Sequence, residues 1–194
     1  MQVRWYLYIY VICNYLNVSV LVDSFGPRGV TNICNPGQFR IVSPYRRAKD
    51  AHGAKIYLEG LPFVDSNRIA VMGWSHGGET TLHAVQINVP SSSPFQAAVA
   101  LYPYCIRLYI LNSPLLVLIG EKDDWTPANE CKFHLKPKEG WPEIILKVYP
   151  DAYHAFDATH GIGFYMGHVT GRNQSAAEDS YKMVKAFLEK YLVD

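Results

Sequence analysis

The chain has 194 residues, 49% of them hydrophobic and 18% charged, with a formal net charge of +1. That length supports one domain, residues 1–194, with a real core, and the composition argues against a disordered chain. Lys and Arg are spread along the chain, which argues against a nucleic-acid footprint, and four cysteines without a C-x-x-C pair argue against a zinc knuckle.

The N-terminal "MQVRWYLYIYVICNYL" contains an apolar run from Trp5 to Cys13. The run is too short to cross a bilayer as a helix, so no membrane span is expected. It has the length of a signal-peptide h-region, but "CNYLNVS" lacks a clean small-x-small cleavage site. A buried helix or strand of the fold is the better reading of residues 1–16, which leaves a cytoplasmic location ahead of a secreted one. "NVSVLVDSFG" (17–26) reads as a buried strand ending in a turn, and "GPRGVTNICNPGQFRIVSPY" (26–45) as a long Gly/Pro loop. "RRAKDAHGAKIYLEGL" (46–61) reads as a helix interrupted by Gly53.

"NRIAVMGW" (67–74) is a short apolar, β-branched run, the signal of a buried strand. It leads into Gly73, Ser75 and Gly77, a G-x-S-x-G pattern. "HGGETTLHAVQINV" then follows as a helix that stops before Pro90. In this pattern a serine sits on a sharp strand-to-helix turn with its hydroxyl exposed. Further strands lie in "PFQAAVALYPYC" (94–105), at Leu115–Ile119 of "SPLLVLIGEKDDW", and last in "EIILKVYPDAYHAF" (143–156). "AEDSYKMVKAFLEKYL" (177–192) is a helix with Tyr181, Val184, Phe187, Leu188 and Tyr191 on one face. Apolar strands alternating with helices predict an α/β fold, an open and mostly parallel sheet with helices on both faces. Ligands of such sheets bind at the carboxyl ends of the strands.

A serine hydroxyl is a weak nucleophile at neutral pH. It needs a base to take its proton, and the base needs an acid to hold its tautomer. The chain order Ser, Asp, His typical of α/β-hydrolases is met by Ser75, Asp123 after "LLVLIG" and His154 after "IILKVYP". Asp124 competes with Asp123, but "GEKDDWTP" puts Asp123 in register with G-x-x-D-x-x-x-P, closed by Pro127. His76 adjoins Ser75 and points elsewhere; its backbone N–H is the candidate oxyanion donor. His52, His83, His134, His160 and His168 lack a preceding strand in the right place. No H-E-x-x-H motif or paired His/Asp cluster appears, so neither a metal nor another cofactor is expected. Phe25, Arg28, Trp74, Tyr104, Trp125, Tyr153 and Phe156 all follow strands; an aromatic lining of this kind favours a small, apolar acyl group. Arg28 is a candidate for a substrate carboxylate or, equally, for capping carbonyls. Cys105 follows one strand and Cys131 follows the acid loop of the next, so flanking strands would bring their sulfurs together.

The blocks "VLVDSFGPRG", "RIAVMGWSHGG", "ALYPYC", "PLLVLIGEKDDWTPANEC" and "VYPDAYHAFD" together resemble the dienelactone hydrolase family of α/β-hydrolases, from about residue 17 to the C-terminus. The resemblance implies a three-layer α/β-hydrolase sandwich. It also implies a nucleophile at Ser75, an acid at Asp123, a base at His154 and hydrolysis of a small ester or lactone without a cofactor. Two features depart from the family pattern. The namesake enzymes carry a cysteine where this chain has Ser75, which places it in a serine-bearing branch and makes dienelactone itself a doubtful substrate. Family members also begin with extra strands and an "HG"-type loop that supplies an oxyanion donor, and no such segment precedes "NVSVLVDSFG". The resemblance therefore implies a sheet lacking N-terminal strands, with an exposed edge suited to self-association. A missing donor costs roughly 3 kcal/mol of transition-state stabilisation. The alternative to a hydrolase is a catalytically impaired or inactive, truncated α/β-hydrolase fold acting as a binding or vestigial module.

Overall fold

In the computed structural model, which describes residues 7–13, 16–33, 38–87, 93–107 and 109–193, the apolar runs become strands. β1 (Leu7–Cys13) and β2 (Leu16–Leu21) form an antiparallel hairpin. β3 (Ile69–Trp74), β4 (Ala97–Leu101), β5 (Leu115–Gly120) and β6 (Ile144–Tyr149) follow. The sheet order is β2-β1-β3-β4-β5-β6, with β3 to β6 parallel and β1 antiparallel to β3. Every residue of β4 and β5 is buried. That burial explains why both read as unbroken apolar runs: a parallel strand covered on both faces has no solvent side to mark with polar residues.

The helices supply the cover. α1 (Gln38–Ile41) is a single turn. α2 (Pro44–Glu59) starts with Ser43 as N-cap, its Oγ accepting from the Arg46 N–H, and with Pro44 in the first turn, where no N–H is needed. α3 (His76–Ala84) is buried along its whole length and packs against α2, β3 and β4. α4 (Ala128–His134) follows β5, and α5 (Gln174–Leu192) packs on β3, β4 and β5. Helices thus cover both faces of a mostly parallel sheet, the α/β arrangement read from the sequence. Among the described residues no helix is long and apolar enough to cross a membrane.

Several elements differ from the sequence reading. The side of β3 expected to lack strands carries the β1–β2 hairpin, which leaves β2 as the outermost strand of the described sheet. β1 falls within the run considered as a signal h-region; residues 1–6 and 14–15 of that reading lie outside the described residues. β2 is an edge strand and not a buried one: Ser19 is exposed and Leu21 is 46% exposed. The loop assigned to 26–45 contains a 3₁₀ turn at Gly26–Arg28, α1 and the start of α2, and its residues 34–37 lie outside the described residues. α2 passes through Gly53 without a break, because Ala48, Ala51 and Leu58 pack on its inner side and outweigh a glycine cost of about 1 kcal/mol. α3 ends at Ala84, well before Pro90, where the chain turns for Gln86 to bridge to Leu111. Beyond β6 the Gly-rich segment forms a second, two-stranded sheet, β7 (Gly163–Tyr165) with β8 (His168–Thr170). On α5, Phe187 is buried, whereas Tyr181 is exposed and its hydroxyl donates to the Asp157 carbonyl.

β3, β5 and β6 run parallel, so their carboxyl ends open on the same edge of the sheet. Ser75 directly follows β3, Asp123 lies three residues past β5, and His154 five past β6.

Candidate active site

The turn after β3 is too tight for side chains at its glycines. A Cβ on Gly73 would lie 2.1 Å from the Gly77 carbonyl oxygen, and one on Gly78 would lie 2.8 Å from the Leu101 carbonyl oxygen. Ser75 itself is forced to φ 52°, ψ −118°, a strained conformation costing about 1–3 kcal/mol. Its N–H donates to the Leu101 carbonyl at 2.9 Å, which ties the turn to β4. The side chain then projects toward the loop after β6, and Ser75 Oγ lies 2.9 Å from His154 Nε2.

The loop bearing His154 is drawn over the end of β5. The Ala152 carbonyl accepts from the Lys122 N–H at 2.9 Å, and a Cβ on Gly120 would lie 2.2 Å from that carbonyl oxygen. Asp151 and Ala155 reverse the chain at φ 58° and 55°. His154 Nδ1 thereby comes within 2.8 Å of Asp123 Oδ2, with both side chains fully buried. Asp123 Oδ1 accepts from the backbone N–H groups of Trp125 (3.0 Å) and Thr126 (2.8 Å), and Oδ2 also accepts from Thr126 Oγ1 (2.8 Å). A buried carboxylate satisfied this fully remains a fixed acceptor. It orients Nδ1–H toward itself and leaves Nε2 to accept from the serine hydroxyl. The Tyr102 ring meets the His154 ring edge-on at 4.7 Å, and Trp125 lies tilted over it at 5.1 Å. A line of this kind is able to draw a proton from a hydroxyl and hold it on an imidazole.

The remaining sequence candidates occupy varied positions. Asp124 is half exposed and pairs with His168 at 3.4 Å, away from His154. His76 opens α3, so its backbone N–H sits at the positive end of the helix. Its ring is buried with Nδ1 2.7 Å from an Arg47 guanidinium nitrogen. Burial first, then the charges of Arg47 and His83, push its pKa down to about 3, so it is neutral and accepts from Arg47. Trp74 donates its indole N–H to Asp157 at 2.8 Å. Trp125, besides covering His154, stacks on His168 at 4.7 Å. Tyr104 is 43% exposed. Arg28 forms a two-pronged pair with Asp50 of α2 (2.8 Å on each side) and caps the Ser24 carbonyl just before the 3₁₀ turn. Phe156, read as lining, is fully buried core. Cys105 and Cys131 form a disulfide with Cα atoms 4.9 Å apart, joining the loop after β4 to α4 just past the acid loop.

Thr126, Tyr102, Asp157 and Arg47 were missed from sequence. Thr126 was within reach, standing inside the "DDWTP" loop. Nothing in "LYPY" tells which ring turns inward; the structure buries Tyr102 at 3% exposure and leaves Tyr104 at 43%. Among the described residues no group of three or more His, Cys, Asp or Glu side chains is placed to hold a metal ion.

A sequence model described as the dienelactone hydrolase family matches residues 39–192. Among curated proteins, a probable dipeptidyl-aminopeptidase B of Metarhizium robertsii is 31% identical over 88 residues, which are 43% of this chain and 9% of that protein. The chain therefore spans a small fraction of that relative's length. Among solved structures, a putative dienelactone hydrolase from Klebsiella pneumoniae superposes with TM-score 0.65 at 20% identity, covering 86% of this chain and 72% of that one. A dienelactone hydrolase-like promiscuous phosphotriesterase from metagenomic libraries gives TM-score 0.55 at 20% identity, with 76% and 61% covered. An esterase of Thermogutta terrifontis gives 0.53 at 17%, with 79% and 68% covered. At these identities the likeness is one of fold.

Proposed function

The chain belongs to the dienelactone hydrolase family, and on that premise we propose that it is a serine hydrolase of small esters or lactones that works through an acyl-enzyme on Ser75. The reading is carried by one observation, the hydrogen-bonded line from Ser75 Oγ through His154 to Asp123, at 2.9 and 2.8 Å. In the first half-reaction His154 Nε2 takes the hydroxyl proton as Oγ bonds to the carbonyl carbon. The bond to the leaving oxygen then breaks, and the imidazolium returns the proton to that oxygen. In the second half a water gives its proton to Nε2 and attacks the acyl carbon; Oγ leaves and recovers the proton. The products are a carboxylic acid and an alcohol, or one hydroxy acid from a lactone. Asp123 supports the imidazolium in both halves.

The negative charge that develops on the carbonyl oxygen needs donors placed in advance. The Ser75 N–H is committed to Leu101, so the His76 N–H at the start of α3 is the donor assigned to it, aided by the positive end of the helix. The half-buried Trp74 and Trp125 on either side suit a small apolar acyl group. The test is hydrolysis of p-nitrophenyl acetate and butyrate together with mass-spectrometric labelling by a fluorophosphonate. The wild type should turn over the esters and carry the label on Ser75, and Ser75→Ala should do neither. Equal turnover by the two proteins would end this reading.

A further inference from the structure

We infer that the Asp157 carboxylate is a positioning residue: it holds Ser75 and His154 in register by tying together the two aromatic side chains that flank them. The inference rests on the reading of Ser75 and His154 as nucleophile and base. Trp74, the last residue of β3 and the one directly before Ser75, donates its indole N–H to Asp157 Oδ2 at 2.8 Å. Tyr102, whose ring meets that of His154, donates its phenol O–H to Asp157 Oδ1 at 2.8 Å. One side chain therefore grips a neighbour of the nucleophile and a neighbour of the base at once. Hydrogen bonds to an ionised acceptor are shorter and stronger than neutral ones, so the grip restrains both rings.

The connection continues on both sides. Tyr102 is 3% exposed, its N–H donates to the Leu118 carbonyl at 2.7 Å, and its carbonyl accepts from Thr126 Oγ1 at 3.1 Å. The same Oγ1 lies 2.8 Å from Asp123 Oδ2, so its single proton is shared between the two acceptors. Asp157 lies three residues beyond His154 in the same loop. A change in the position of Tyr102 is thus passed to the base from its ring face and to the acid through Thr126. The other described contacts of Asp157, from Arg172 and from the Tyr181 hydroxyl, both go to its main-chain oxygen and survive any substitution. Among the described hydrogen bonds of Asp157, replacing the side chain therefore removes the two aromatic tethers alone.

The experiment compares Asp157→Leu with Asp157→Asn, alone and in a Trp74→Phe/Tyr102→Phe background, by steady-state kinetics on p-nitrophenyl acetate and by the rate of fluorophosphonate labelling. Leucine accepts from neither ring. An amide accepts from the indole and donates to the phenol oxygen, so it keeps both tethers. Asp157→Leu is expected to lower kcat and the labelling rate roughly tenfold to a hundredfold, the scale of a small misplacement of reacting groups, with KM within about twofold. Asp157→Asn should recover most of the loss, and Asp157→Leu should add nothing in the double-Phe background. Unchanged kcat in Asp157→Leu, or an equal further loss in the double-Phe background, would overturn the inference. Should Asp157→Leu not fold, Trp74→Phe and Tyr102→Phe carry the test, and wild-type kcat in both overturns it. Full turnover by Ser75→Ala would instead remove the serine reading beneath it.

Discussion

Replacing Asp123 by asparagine is expected to reverse the hydrogen-bond polarity of the whole line while leaving its shape intact. Two backbone donors, the N–H groups of Trp125 and Thr126, converge on Oδ1. In Asp123→Asn they select the amide oxygen for that position and turn the NH₂ group to where Oδ2 stood, facing His154 Nδ1. A donor there forces Nδ1 to accept, which moves the ring proton to Nε2. Nε2–H then faces Ser75 Oγ and is unable to take its proton. Loss of the working tautomer in a Ser-His-Asp system costs about 1,000- to 10,000-fold in kcat, or roughly 4–5.5 kcal/mol. The neighbouring Asp124 makes an exposed pair with His168 at 3.4 Å, worth about 1 kcal/mol at most, so Asp124→Asn should stay within about fivefold of wild type. Both variants are assayed on p-nitrophenyl acetate, with far-ultraviolet circular dichroism to confirm equal folding. A larger loss in Asp124→Asn, or more than a tenth of wild-type kcat in Asp123→Asn, would refute the reasoning.

Two other outcomes concern stability. His76 is held neutral by burial and by Arg47, with a folded pKa of about 3 against about 6.5 in an unfolded chain. Its contribution is therefore complete above about pH 6.5 and declines as the unfolded state takes up the proton between there and about pH 3, by on the order of 5 kcal/mol in all. Urea midpoints from pH 7.5 to 4 should fall less steeply in His76→Gln, and an equal slope would show that another group sets the acid limb. The Cys105–Cys131 bridge closes a separation of 26 residues, which corresponds to about 3.5 kcal/mol of chain entropy. Cys105→Ala/Cys131→Ala should melt lower than wild type and be indifferent to dithiothreitol; a wild-type melting point unmoved by reduction would argue against the bridge.

β4 and β5 are legible because each is an unbroken apolar run, and parallel strands buried on both faces allow nothing else; β6, at the edge of the sheet with Lys147 exposed, shows through the apolar residues around that lysine. The turn at Ser75 and the position of Asp123 came from short spacings that reflect local geometry. What escaped has equally local causes. β7 and β8 are three residues each among glycines, too short to show a period. β2 has the composition of a buried strand, and only its place at the edge of the sheet exposes Leu21. α2 buries Arg47, His52 and Lys55 on its inner side together with Ala48, Ala51 and Leu58. Such a helix defeats a reading that puts charges outside. Nothing in "HAFD" marks Asp157, because its partners Trp74, at the end of β3, and Tyr102, just past β4, come from far away in the chain.

Among the described residues, five other than glycine have positive φ, and four of them, Ser75, Tyr102, Asp151 and Ala155, stand at the same end of the sheet. Glycine would adopt each of these conformations more easily. A lineage adapting to heat would meet a conflict there: the substitutions that relax the backbone are the ones that loosen the alignment of Ser75 with His154. Heat tolerance would then have to accumulate elsewhere, on the outer sides of α2 and α5 or along the β1–β2 hairpin, while this rim changes slowly.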